Sequence, residues 1–123
     1  MKAILLALAL TACSQIPEYQ EFEMEAKNRG CHFFPTGIYF TEILPDSSAG
    51  YCIPGIGIFL NDNLWHDYGS YQKLELVFHE MGHCGFGYGH SDDGGIMFPT
   101  MHAEKEIELS WGIWVDQFFE NCP

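Results

Sequence analysis

Two histidines four residues apart, followed by a glycine-rich turn and a third histidine, constrain this 123-residue chain more than any other feature. The run is His79-Glu80-Met81-Gly82-His83. Around it Leu74, Val77, Phe78 and Met81 recur at spacings of three and four, which predicts a helix starting near Tyr71 with Ser70 as its N-cap. On such a helix His79 and His83 project from one face, one turn apart. Their neutral imidazoles can then converge on one metal ion, and Glu80 lies beside them as a base for water. Catalytic zinc sites commonly take three protein ligands and keep one position open. Gly85, Gly87 and Gly89 cannot prolong the helix and allow a sharp turn, which can bring His90 to the same ion.

This segment resembles the zinc-binding signature of the metzincin metallopeptidases, H-E-x-x-H-x-x-G-x-x-H followed by a Met-turn. Gly87-Tyr88-Gly89-His90 keeps the G-x-x-H half, and Ser91 follows as in the matrixin branch. Gly95-Ile96-Met97-Phe98-Pro99 is similar to the matrixin Met-turn. Three residues, where the pattern has two, separate His83 from Gly87. The resemblance implies one catalytic zinc ion held by His79, His83 and His90, with Glu80 as general base and Met97 as an apolar floor beneath the metal. It also implies that residues 98–101 wall the specificity pocket, and that an edge strand above the cleft pairs with extended substrate. No tyrosine stands two residues after Met97, as it does in astacin-like members, so oxyanion stabilisation falls to zinc and Glu80. Asp92, Asp93 and Glu104 remain alternatives to His90 as third ligand. His32 and His102 read as surface histidines, and His66 as a surface histidine with a cleft residue as the alternative.

The N-terminus gives an expectation about address. Met1-Lys2 and the apolar Ala3–Leu10 have the form of a signal peptide, too short to span a bilayer. Leu10-Thr11-Ala12-Cys13 resembles a bacterial lipobox, which implies cleavage before Cys13 and its acylation. The alternative is an ordinary secretory signal with an incidental cysteine. The chain divides accordingly into residues 1–12 as lipoprotein signal peptide, 13–17 as lipidated anchor and tether, and 18–123 as the domain. The expected location is a bacterial membrane facing the periplasm or cell exterior.

So short a domain has a thin core and benefits from covalent staples. Cys31, Cys52, Cys84 and Cys122 make an even set, which in an exported protein points to two disulfides. Of three possible connectivities, Cys31–Cys52 and Cys84–Cys122 are expected. The first would clip the sheet, and the second would tie the last helix to the histidine helix. A formal net charge of −12 argues against nucleic-acid binding and against attraction to anionic headgroups.

Taken in order, Glu18–Asn28 reads as an amphipathic helix on Tyr19, Phe22 and Ala26, ended by Gly30. Cys31–Phe34, Gly37–Leu44, Tyr51–Ile53 and Gly57–Leu60 read as strands, with residues 45–50 as a loop. Residues 61–69 read as a polar loop. Ala103–Asn121 reads as a closing helix packed through Ile107, Trp111, Trp114, Val115 and Phe118. The expected fold is α+β, a minimal metzincin-like (zincin) domain with a small mixed sheet on the histidine helix and a C-terminal helix. The expected function is that of a monomeric zinc metalloendopeptidase acting on peptide or protein substrates. The contrasting reading is an exported lipoprotein that works by binding, with zinc in a structural role.

Overall fold

The computed structural model describes residues 16–44 and 48–123. The proposed signal peptide, Cys13 and residues 45–47 of the expected loop lie outside the described residues. In chain order the elements are α1 (Pro17–Asn28), β1 (Ile38–Thr41), β2 (Gly50–Ile53), β3 (Gly57–Asn61), α2 (Asp62–Trp65), α3 (Ser70–Phe86) and α4 (Glu104–Phe119). This is a small α+β fold. The sheet is mixed, in the order β1-β3-β2, with β1 parallel and β2 antiparallel to β3. On β3, Ile58 and Leu60 point into the core, while the intervening Phe59 stacks on Tyr39 at 5.2 Å on the outer face.

Helix α3 lies at the centre and touches α1, α4, β2 and β3. Its two sides are chemically different. Phe78 is fully buried among aromatic rings from the other helices: Phe22 of α1 and Trp111, Phe118 and Phe119 of α4. Phe78 therefore packs on the flanking helices. The sheet is met by Leu76 and Glu80, since a Cβ added at Gly50 of β2 would touch both side chains. Close spacing there lets the edge strand β2 run directly over the histidine helix.

Two disulfides, Cys31–Cys122 and Cys52–Cys84, fit an oxidising, exported setting. All four expected cysteines pair, but the expected connectivity is wrong. It assumed that Cys31 begins a strand. Instead residues 31–37 run without strand pairing, and the His32 N–H donates to the Pro123 carbonyl, 3.0 Å away. Cys31 therefore meets Cys122 beside the C-terminus. Cys52 on β2 faces α3 and takes Cys84. By loop-closure entropy the 91-residue separation is worth at most roughly 4–5 kcal/mol and the 32-residue one roughly 3–4 kcal/mol. The second staple fixes β2 against the last turn of α3.

Two further expectations change. The polar segment after β3 contains α2, whose N-terminus is capped by the Asn61 side chain accepting from the Asn63 and Leu64 amides. It buries Trp65 against Phe40. Helix α3 begins with Ser70 as its first residue, so Ser70 is not the N-cap. The Glu104 carboxylate reaches across from α4 and accepts from the amides of Tyr71 (3.2 Å) and Gln72 (2.9 Å). Those free amides need an acceptor, and a carboxylate suits the positive end of the helix dipole. Among the described residues no helix is long and apolar enough to cross a membrane.

Candidate metal centre

His79 and His83 stand one turn apart on α3, as the spacing requires. The helix continues through Cys84, Gly85 and Phe86 and stops at Gly87, whose φ of +75° is left-handed. There the Gly87 amide donates to the His83 carbonyl and the Tyr88 amide to the Gly82 carbonyl, at 3.1 and 2.7 Å. The extra residue between His83 and Gly87 is thus absorbed as helix, and the reversal brings His90 back beside the other two. The ligand atoms of His79, His83 and His90 all lie within 4.8 Å of one another. His79 is the most enclosed and His90 is exposed.

The imidazoles are oriented by backbone carbonyls. His79 Nδ1–H donates to the Ile96 carbonyl and His83 Nδ1–H to the Tyr88 carbonyl, both at 2.7 Å. Fixing the proton on Nδ1 leaves each Nε2 lone pair free, the outer-sphere arrangement of histidine metal ligands. His83 Nε2 and His90 Nε2 are 3.2 Å apart. Two nitrogens bound to one tetrahedral zinc would lie about 3.3 Å apart, so this pair is compatible with zinc. Burial lowers the His79 pKa to about 4, against the Ile96 hydrogen bond and with repulsion from His83 and His90 adding to it. His83 is lowered by burial too, opposed by the Tyr88 carbonyl. Both rings are therefore neutral near pH 7, as metal ligation needs. The three histidines could hold a metal ion.

Glu80 sits beside them and is 6% exposed. Burial alone raises its pKa to about 7. Gly95 and Gly94 both have left-handed φ, and the turn they form presents the Ile96 carbonyl to His79. Met97 is buried, and its sulfur packs on Gly82 between the two helical histidines, where any larger residue would collide with it. The Met97 carbonyl accepts from the Ser91 amide at 2.9 Å, which ties the turn carrying His90 to the turn carrying Met97.

The histidines and Glu80 open into a cavity of about 790 Å³. One side is the edge strand, through Gly50, Tyr51 and Cys52; the other is Phe98, Pro99, Thr100 and Met101. The alternative third ligands do not join the cluster. Asp92 and Asp93 are exposed and lie outside the grouped residues, and Glu104 is engaged at the start of α3.

His32 and His66 are exposed, as expected, but His102 is not a surface residue. Its side chain is 13% exposed, and it holds the buried Glu75. The His102 amide and Nδ1 meet the two Glu75 oxygens at 3.1 and 2.8 Å. Glu75 is raised by burial, an effect the His102 bonds oppose. Glu75 also lines the cavity, so this pair anchors the 98–101 wall to α3. The sequence reading missed it. Its only trace was Glu75 placed one turn before His79 among otherwise apolar positions.

The chain matches no protein-family model, no curated protein and no solved structure.

Proposed function

We propose that this protein is a zinc-dependent endopeptidase of reduced metzincin type, most similar in its motifs to matrixins. The observation that carries the reading is the convergence of His79, His83 and His90 beside a buried carboxylate, inside an open cleft bordered by a strand edge. His79, His83 and His90 would hold the ion, and Met97 would support them from below. Bound there, zinc supplies a Lewis acid that polarises the scissile carbonyl and acidifies water.

The rest falls to the chain's own groups. Glu80 takes the proton from the attacking water and passes it to the departing amine. A carboxyl group with a pKa near neutrality suits both directions of that transfer. The outer edge of β2 has no strand partner among the described residues and borders the cavity. An extended peptide can add to that edge by main-chain hydrogen bonds, which aligns its carbonyls along the histidines. Cys52–Cys84 keeps that edge at a fixed height above α3. Residues 98–101 shape the pocket for one substrate side chain. Acylation at Cys13 would hold the domain at a membrane.

The test pairs zinc content with peptide cleavage for the mature chain and for Glu80→Gln. One zinc in each, with cleavage reduced roughly 10²–10⁴-fold in the variant only, is expected from loss of a general base. One zinc in each and no cleavage of diverse peptides by either would favour a binding lipoprotein with structural zinc. A folded protein that takes up no zinc would sink both.

A further inference from the structure

A second cavity, of about 660 Å³, opens beside the histidine cleft and shares Pro54 and Gly87 with it. It differs from the cleft in character. Its rim is two loops, residues 32–36 and 54–56, and its floor is the end of α3 at Cys84–Phe86. No Asp, Glu, Lys or Arg lines it, in a chain whose net charge is −12. The rim projects apolar side chains into solvent: Phe34 is 77% exposed and Ile56 is 61% exposed, with Pro35 and Pro54 beside them. Neither large residue contributes to the core.

The place where the chain enters the fold bears on what covers this face. The Thr36 amide, on the rim, donates to the Tyr19 hydroxyl at 3.2 Å, so the first turn of α1 lies against the loop carrying Phe34. From Pro17 back to Cys13 is four residues, a reach of about 14 Å at full extension. A lipid on Cys13 would therefore enter the membrane within that distance of the α1 start, which puts the apolar rim touched by Tyr19 within reach of the same membrane. A mostly apolar lining without Asp, Glu, Lys or Arg suits a neutral lipid interface, whereas the acidic remainder of the protein is repelled by anionic headgroups.

We propose that loops 32–36 and 54–56 form a membrane-docking face, with Phe34 and Ile56 inserted at the interface of a zwitterionic phospholipid bilayer. Docked this way, the histidine cleft lies next to the membrane-facing loops, because Pro54 and Gly87 border both cavities. The cleft then meets protein segments close to the bilayer. This orientation rests on the reading of Cys13 as anchor; the test supplies that anchor chemically, so its outcome does not depend on acylation in the cell.

The experiment couples Cys13 chemically to a maleimide-bearing lipid in phosphatidylcholine vesicles, whether or not the cell acylates it. The form used is residues 13–123, since the buried core and both disulfides lie between Ile16 and Pro123. The other four cysteines are paired, so Cys13 is the free thiol. Phe34→Trp is compared with Leu109→Trp, a 76% exposed site on α4 outside the groove, each measured as the difference from wild-type emission. With vesicles of brominated phosphatidylcholine, the added emission at position 34 is expected to shift to the blue and to be mostly quenched. The added emission at position 109 is expected to stay unchanged. No quenching at position 34, or equal quenching at both sites, overturns the proposal. So does a concentration-dependent blue shift at position 34 without vesicles, which would assign the face to a second copy of the chain.

Discussion

Phe78 and His79 are adjacent in sequence on one helix, turned about 100° from each other, and they meet different surroundings. Phe78 faces inward, where four aromatic side chains from α1 and α4 surround it. His79 faces the cleft with Glu80 and His83, where burial works against every charge placed there. The first side gains by excluding water from apolar surface. The second has ionisable groups removed from water, which opposes folding. A single helix thus carries part of the stabilising core on one side and a cluster of buried ionisable groups that opposes folding on another. The aromatic side holds the histidine side in a geometry it would not keep alone.

The sharpest break in that contrast is Phe78→Ala. Loss of its ring contacts is expected to cost about 3–5 kcal/mol in chemical denaturation with disulfides intact. A loss below about 1 kcal/mol would mean that the aromatic side is not what holds α3.

Next is Glu80→Gln in the metal-free protein, which should move stability the other way. The folded-state pKa of Glu80 is raised to about 7, from an ordinary value of 4.5. Its proton is held more tightly in the folded chain than in the unfolded one. Wild-type stability therefore falls relative to the variant as pH rises from 4.5 to 7, and the deficit stays constant above that. The variant is expected to be more stable by about 1–3 kcal/mol at pH 8 and equal to wild type below pH 4.5. His79 is present in both proteins and drops out of the difference. Denaturant midpoints in the presence of a chelator measure it, and a less stable variant at pH 8 would contradict the contrast.

The smallest effect concerns neither side of α3 but its start. Glu104→Ala removes the acceptor for the Tyr71 and Gln72 amides and is expected to cost about 0.5–2 kcal/mol, with zinc content unchanged. Loss of zinc in a folded Glu104→Ala protein would make Glu104 part of the metal centre after all.

Local patterns were readable wherever periodicity or a fixed spacing carries the signal. The spacing of Leu74, Val77, Phe78 and Met81 announced α3, and Tyr19, Phe22 and Ala26 announced α1, because burial repeats with the helical turn. The turn after α3 was legible through Gly87, which takes a left-handed φ, whereas Gly85, expected with it to end the helix, lies inside α3. Residues 31–34 looked like a strand through their composition. They stayed unpaired because their backbone bonds go to the ends of other elements, Phe34 to Gly85 and His32 to Pro123. Composition cannot register that.

The sequence by itself determined that three histidines, a glutamate and a methionine belong to one region, since all lie within 19 residues and their offsets follow from helix and turn geometry. Tertiary structure decided the rest. It chose Cys122 for Cys31, 91 residues away, and Cys84 for Cys52. It brought Glu104 to cap α3, joined His102 to Glu75, and selected β2 as the strand bordering the cleft. Those choices depend on which surfaces meet when the helices and sheet pack, and contacts between distant segments leave no periodic mark on the chain.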